Sequence, residues 1–178
     1  MQASAFEDIS RVSWLVIPLY NEATVIYDVI TQARKSFPNI VCVNDGSSDN
    51  GAELARQAGA VVVDHPINLG QGAALQTGIT WVLTYTDAKY IVTFDADGQH
   101  RTSDARAMIE RAEAEDLSFV LGSRFLGGSH QAGWLKKLIL STAAKVTRVR
   151  TGMNLSDSHN GLHVLRRDAA ARLDLTMH

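Results

Sequence analysis

Residues 89–100 read KYIVTFDADGQH, an apolar run that leads directly into a loop with two carboxylates. A short apolar run bounded by turn residues is typical of a strand that is buried on both faces. Two other stretches share this design, residues 12–22 (VSWLVIPLYNE) and residues 40–49 (IVCVNDGSSD), and both end in polar, turn-forming residues. The sequence therefore predicts a buried strand at each of these places, followed each time by a polar loop.

Helix-like stretches separate the predicted strands. We expect further strands at 60–64 and 117–121, and helices, the first of them capped by Asn21, over about 22–35, 51–58, 70–84 and 103–115. This alternation predicts an α/β fold with a mostly parallel central sheet and helices on both faces. Ligands of such sheets bind beyond the carboxyl ends of the strands, where the polar loops lie.

The composition indicates one globular domain. Of the 178 residues, 46% are hydrophobic and 20% are charged, and the net charge of -2 predicts no nucleic-acid partner. The single cysteine, Cys42, lies in an apolar run, which favours a buried thiol and a cytoplasmic location. No run of about 18 apolar residues, long enough to span a bilayer, is present.

Asp95 and Asp97 form a candidate metal site. Two carboxylates near one point repel each other, and a divalent cation relieves that repulsion. Mg²⁺ or Mn²⁺, held by one or two carboxylates and by substrate phosphates, fits this pair, and Gln99 and His100 are close enough to add a contact. The alternative is a solvated turn, but the position directly after an apolar strand favours a functional site.

The loops after the first two strands are candidates for holding a nucleotide. Pro18 could fix a turn that presents Tyr20 to a base, with Glu22 in reach of base or sugar; alternatively Tyr20 packs in the core. Asp45 could accept hydrogen bonds from a base or ribose, and Gly46 would let a nucleotide approach the backbone. The alternative for this second loop is a helix-capping turn.

Gly70 and Gly72 lie at the predicted start of a helix. Glycines at this position can leave room for an anion or let the helix pack closely on the sheet. Close packing is the favoured interpretation, because the segment has neither the third glycine of a dinucleotide fingerprint nor the lysine of a P-loop.

The second half of the chain is basic. No acidic residue lies between Leu117 and Ser156, and the same stretch contains Arg124, Lys136, Lys137, Lys145, Arg148 and Arg150. Residues 134–148 predict an amphipathic helix, which would suit a lipid phosphate or an anionic membrane surface. An ordinary core-packing helix with a solvated face is the alternative. We interpret His159 and His163 as metal-free, because Asn160-Gly161 argues against a regular helix between them.

In order and spacing, these segments resemble family 2 glycosyltransferases of the dolichyl-phosphate mannose synthase type. The resemblance covers about residues 14–168 and rests on the motifs VIPLYNE (16–22), VNDGSSD (43–49), NLGQG (68–72), FDADGQH (94–100), GSRF (122–125) and DSHNG (157–161). It implies a Rossmann-like GT-A fold and an inverting transfer from a GDP- or UDP-linked sugar to a polyprenyl or dolichyl phosphate. A saccharide or other hydroxyl acceptor, or a non-catalytic nucleotide-sugar-binding fragment, is the alternative.

The resemblance also implies roles for single residues. It assigns metal and diphosphate to Asp95, Asp97 and Gln99, and the nucleotide sugar to these residues together with Pro18, Tyr20, Glu22, Asp45, Gly72 and Ala96. Arg124 matches an arginine that faces phosphate. Asp157 matches an acidic position near sugar and acceptor, where it would be the base for a hydroxyl acceptor or, alternatively, only a turn residue.

The resemblance further divides the chain by function. We expect a nucleotide-sugar-binding half over about 12–121 and an acceptor-side half over about 122–178. Relatives generally continue further, so we expect either that the acceptor-side half is truncated or that its acceptor site is reduced. A polyprenyl phosphate acceptor would place the protein at the cytoplasmic face of an anionic membrane, in peripheral contact.

Overall fold

The computed structural model describes residues 9–97, 101–122 and 162–173. The strands are β1 (Ser13–Leu19), β2 (Asn39–Asp45), β3 (Val61–His65), β4 (Tyr90–Thr93), β5 (Phe119–Leu121) and β6 (His163–Arg166). The helices are α1 (Ile26–Arg34), α2 (Gly51–Gln57), α3 (Gln71–Tyr85), α4 (Thr102–Ala114) and α5 (Arg167–Arg172). Every strand and helix predicted within these ranges is present.

The six strands form one sheet in the order β3-β2-β1-β4-β6-β5. Strands β1 to β4 are mutually parallel, whereas β6 runs antiparallel to both of its neighbours, β4 and β5. The predicted mostly parallel sheet is confirmed. Strand β6 was not predicted, and it places residues 163–166 at an inner position of the sheet, between β4 and β5.

Helices cover both faces of the sheet. Alternate side chains of β1 point to opposite faces, so Leu15 and Ile17 belong to one buried cluster and Val16 to another. The first cluster includes residues of α1, α2 and α4, and the second includes residues of α3 and α5. Cys42 lies in the first cluster as a free thiol, and burial raises its pKa to about 12, as expected for a structural cysteine.

Helix α1 begins later than the sequence suggested. The N–H groups of Val25 and Ile26 donate to the carbonyl oxygen of Glu22, and regular helix starts only at Ile26. Asn21 has a φ of +54° and does not cap the helix. Its side-chain oxygen instead accepts a hydrogen bond from the backbone N–H of Ser48, at 2.9 Å. The predicted cap is therefore wrong, because the asparagine is used to bind a neighbouring loop.

Strand β6 pairs in the same sheet as the strands from the first part of the chain, and α5 contributes Ala170 to the core on one face of that sheet. The functional division near residue 122 stays a prediction. The predicted helix 134–148 and the candidates Gln99, His100, Arg124 and Asp157 lie outside the described residues. Among the helices that are described, none is both long enough and apolar enough to cross a membrane.

Candidate functional site

The site candidates converge on one edge of the sheet. Because β1 to β4 are parallel, the loops that follow them all lie at the carboxyl edge. This edge brings together the residues that follow β1, the turn after β2, the loop 66–70 and the Asp-x-Asp segment. Sequence reasoning placed the first, second and fourth of these at strand ends.

The loops after β1 and β2 are joined by hydrogen bonds. The backbone N–H of Asn21 donates to Ser47 Oγ at 3.1 Å, and that of Ala23 donates to Asp49 Oδ2 at 2.9 Å. Asp49 Oδ1 also accepts the N–H of Gly51, at 3.0 Å, at the start of α2. Asp49 therefore does form the helix-start turn that sequence reasoning offered as an alternative, and it also fixes the neighbouring loop.

Tyr20 lies on the surface of this edge. Half of its surface, 50%, is exposed, which excludes the alternative that it packs in the core. Pro18 and Glu22 on either side are partly buried. The ring of Tyr20 is therefore accessible to a planar ligand, whereas Pro18 and Glu22 are partly enclosed by neighbouring residues.

Asp45 is buried at the carboxyl end of β2, with 2% of its surface exposed. Its Oδ1 accepts hydrogen bonds from His65 Nδ1 at 2.7 Å and from the N–H of Leu69 at 2.9 Å, and its Oδ2 accepts the N–H of Gly70 at 2.8 Å. Burial alone would raise the pKa of Asp45, but these hydrogen bonds outweigh it and hold the pKa below its usual range. Protein groups thus surround the carboxylate that was predicted to contact a nucleoside directly.

His65 is a residue that sequence reasoning missed, since it was given no special role. Besides its contact with Asp45, its Nε2 lies 2.9 Å from Thr77 Oγ1 in α3. No local sequence signal marks this contact, because it arises from the register of two paired strands. Asp45 and His65 are the last residues of β2 and β3 and stand opposite each other in the parallel register.

Position 46 requires a glycine because another part of the chain approaches its backbone closely. A Cβ at this position would lie 2.5 Å from the carbonyl carbon of Ile67 and 2.6 Å from the nitrogen of Asn68. The close approach predicted for a nucleotide is therefore made by the chain's own loop 66–70, which crosses over the end of β2.

The amino end of α3 contacts the Asp-x-Asp segment. Gln71 is the first residue of α3, and its Nε2 donates to Asp95 Oδ1 at 3.1 Å. Among the residues that the structure describes, a Cβ at Gly70 or Gly72 would meet no heavy atom within 4 Å, so close packing against these residues is not the reason for the two glycines. That role belongs to Gly78, where a Cβ would lie 2.3 Å from Val16 Cγ1. The favoured interpretation of Gly70 and Gly72 is therefore wrong, and none of the described residues packs over the two glycines.

The Asp-x-Asp segment follows β4 after Phe94. Asp95 is partly buried, Ala96 is buried and Asp97 is exposed, so the two carboxylates differ in their access to solvent. Hard oxygen donors that a ligand can reach suit Mg²⁺ or Mn²⁺. Within the described part of the chain, no group of three or more His, Cys, Asp or Glu residues is arranged to hold a metal. Two carboxylates fit the preference of Mg²⁺, which is commonly held by one or two carboxylates together with substrate phosphates.

Several curated proteins are similar to this chain. An uncharacterized protein of Methanocaldococcus jannaschii is 32% identical over 90% of this chain and 67% of its own length. The UDP-N-acetylglucosamine–dolichyl-phosphate N-acetylglucosaminyltransferase of Methanococcus voltae is 27% identical over 89% of this chain and 71% of its own length. The undecaprenyl-phosphate mannosyltransferase of Micrococcus luteus is 28% identical, with coverages of 90% and 68%.

A solved structure confirms the predicted GT-A fold. Glucosyl-3-phosphoglycerate synthase of Mycobacterium tuberculosis, in complex with Mn²⁺, uridine diphosphate and glucosyl-3-phosphoglycerate, superimposes with a TM-score of 0.60 at 19% identity. The alignment covers 93% of this chain but only 61% of the synthase.

A comparison with whole protein families agrees with the resemblance that the sequence motifs indicated. The family described as glycosyl transferase family 2 matches residues 14–174, nearly the full sequence. This chain belongs to glycosyl transferase family 2.

Proposed function

We propose that this chain carries the donor site of an inverting glycosyltransferase that moves a sugar from a GDP- or UDP-linked donor to a polyprenyl phosphate. The observation that carries the proposal is the contact between Gln71 and Asp95, which sets the amino end of a 15-residue helix beside the Asp-x-Asp carboxylates. A helix amino terminus attracts phosphate through its unpaired N–H groups and its dipole. None of the described residues would contact a Cβ at Gly72, which leaves room there for a diphosphate.

The nucleoside would lie over the loops that follow β1 and β2. The half-exposed ring of Tyr20 offers a face on which a base can stack, and Pro18 and Glu22 would line the same subsite. Asp45 would act through the loop that it holds, because its oxygens are engaged by protein groups.

Asp95 and Asp97, with Gln99, would hold Mg²⁺ or Mn²⁺. When bound, the ion would offset the charge that develops on the leaving diphosphate. Gln71 would orient Asp95 for this task through its amide hydrogen bond. Support comes from the mycobacterial synthase of the same fold, which was crystallised with Mn²⁺ and uridine diphosphate.

The acceptor is proposed from the relatives. Those of Methanococcus voltae and Micrococcus luteus are named for transfer to dolichyl phosphate and undecaprenyl phosphate. The oxygen of such an acceptor is already anionic and needs no strong base, so Arg124 would bind the phosphate and Asp157 would serve as base only for a hydroxyl acceptor. Peripheral contact of the basic second half with an anionic membrane, on its cytoplasmic face, belongs to the same proposal.

Titration calorimetry with UDP and GDP tests the donor site. We expect binding of one nucleotide in the presence of Mn²⁺, and loss of about tenfold or more in affinity with EDTA or in Asp97→Ala. Asp87→Ala is the matched control, because it removes an exposed carboxylate from the loop before β4, at the opposite edge of the sheet. Absence of binding by both nucleotides would refute the proposal.

A second experiment identifies the acceptor class. The release of nucleoside diphosphate from the sugar donor is measured with undecaprenyl phosphate as acceptor and compared with its release with a free saccharide as acceptor.

A further inference from the structure

His65 connects three parts of the carboxyl edge. It ends β3, its Nδ1 contacts Asp45 at the end of β2, and its Nε2 contacts Thr77 in the body of α3. The imidazole is enclosed, with 9% of the side chain exposed. Both ring nitrogens therefore have a polar partner inside the protein.

The chemistry of the partners fixes the hydrogen bonds. A carboxylate only accepts, so Nδ1 of His65 carries the hydrogen and donates it to Asp45. In the neutral ring, Nε2 is then an acceptor, and the hydroxyl of Thr77 donates to it. A rotation of the ring would break both hydrogen bonds, so Thr77 holds the orientation in which His65 meets Asp45.

The other hydrogen bonds of Asp45 lead to the start of α3. Its two oxygens accept the N–H groups of Leu69 and Gly70, the two residues directly before the helix. Gly70 has a φ of +93° and a ψ of 157°, a conformation essentially limited to glycine. The hydrogen bond from its N–H to Asp45 fixes this turn. The next residue, Gln71, makes the contact with Asp95.

We infer that His65 is a positioning residue for the donor diphosphate. It holds the Asp45 carboxylate against the N–H groups of Leu69 and Gly70, and this fixes the amino end of α3 and Gln71 beside Asp95. The inference rests on the proposed function, because the diphosphate is the ligand that the helix start would receive. It adds to that function a residue that touches neither nucleotide nor metal.

Two substitutions of His65 each remove one of its two hydrogen bonds and keep the other. In His65→Asn, the amide nitrogen occupies about the place of Nδ1 and can still donate to Asp45, whereas the contact with Thr77 is lost. In His65→Gln, the longer side chain reaches towards Thr77 and the donor to Asp45 is lost. Both variants lose one hydrogen bond, so a role in stability alone would affect them equally.

Calorimetry with the nucleotide that binds the wild type in Mn²⁺ is the first measurement. We expect His65→Asn to bind within about threefold of the wild type and His65→Gln to bind about tenfold more weakly. Thr77→Val should weaken binding by about threefold. Thr84→Val is the matched control in the same helix, since the hydroxyl of Thr84 donates to the carbonyl oxygen of Thr80 within that helix.

Amide hydrogen exchange is the second measurement, and it does not depend on a ligand. In His65→Gln we expect faster exchange at Leu69 and Gly70, with exchange in β1 and β4 unchanged. Equal affinities of the Asn and Gln variants, or unchanged exchange at these two amides, would overturn the inference while the donor site stands. No nucleotide binding by the wild type would refute the proposed function, and the inference with it.

Discussion

Gly70 and Gly72 stand two residues apart at the start of α3 and are constrained in different ways. Gly70 has backbone angles that are essentially restricted to glycine, although a Cβ there would contact none of the described residues. We expect Gly70→Ala to lower the free energy of unfolding by about 1–3 kcal/mol through backbone strain. Urea denaturation measures this, and a change below about 0.5 kcal/mol would contradict the assigned backbone angles.

Gly72→Ala is the matched comparison, since Gly72 lies inside the helix and the space around it is open. We expect the free energy of unfolding to stay unchanged or to rise by up to about 1 kcal/mol, because alanine favours the helix. Nucleotide binding in Mn²⁺ should nevertheless weaken, because the new methyl group would take up space proposed for the diphosphate. Unchanged binding would show that the diphosphate lies elsewhere.

Single residues were predicted unevenly from the sequence. Tyr20, Asp95 and Asp97 were placed at the correct edge because each lies within four residues of the end of a strand that the pattern of apolar residues identifies. The surroundings of Asp45 could not be predicted, because they depend on His65 and on a loop more than 20 residues away in the chain. Contacts of this kind are set by the register of β2 and β3, which no local pattern records.

Helix α3 lies close to the sheet because Gly78 has no side chain. A Cβ there would lie 2.3 Å from Val16 Cγ1 in β1 and 3.2 Å from Val43 Cγ2 in β2. We expect Gly78→Ala to lower the free energy of unfolding by about 1–3 kcal/mol, despite the better helix propensity of alanine. Urea denaturation of the single variant tests this expectation.

A double variant identifies the cause of that loss. Val16→Ala removes the methyl group that the new Cβ would strike, so Gly78→Ala combined with Val16→Ala should cost less than the sum of the two single changes. Additive losses would mean that α3 moves away from the sheet as a whole. The same comparison, followed by nucleotide titration, reports whether a displaced α3 still brings Gln71 to Asp95.

At the scale of elements, the helices and the parallel strands follow from the pattern of apolar residues and turns. Strand β6 does not, because its sequence HVLR has only two consecutive apolar residues between a histidine and an arginine. Its partner in β4 is also distant, as the hydrogen bond between the N–H of His163 and Thr93 Oγ1 joins residues 70 positions apart. Long-range pairing of this kind is decided by the whole sheet.

The position of β6 has a consequence for the whole molecule. It lies between β4 and β5, and its buried residues Val164 and Leu165 contribute to the two core clusters on opposite faces of the sheet. Burial of two such side chains contributes about 3–6 kcal/mol, a large part of the total stability of about 5–15 kcal/mol of an ordinary domain. The residues of the predicted nucleotide-sugar-binding half are therefore stabilised by a strand from beyond residue 162.

We accordingly expect a chain ended at Gly122 to lose cooperative unfolding. Without β6, the edge of β4 is unpaired and β5 lacks the strand that joins it to the sheet, so apolar surface and unpaired backbone groups are exposed together. Urea denaturation followed by circular dichroism, with binding of a hydrophobic dye, measures this loss. A chain ended at Leu173 is the control, since it keeps all six strands. A cooperative transition at the same urea midpoint in both chains would mean that β6 is dispensable, and that the first 122 residues fold as an independent donor-binding unit.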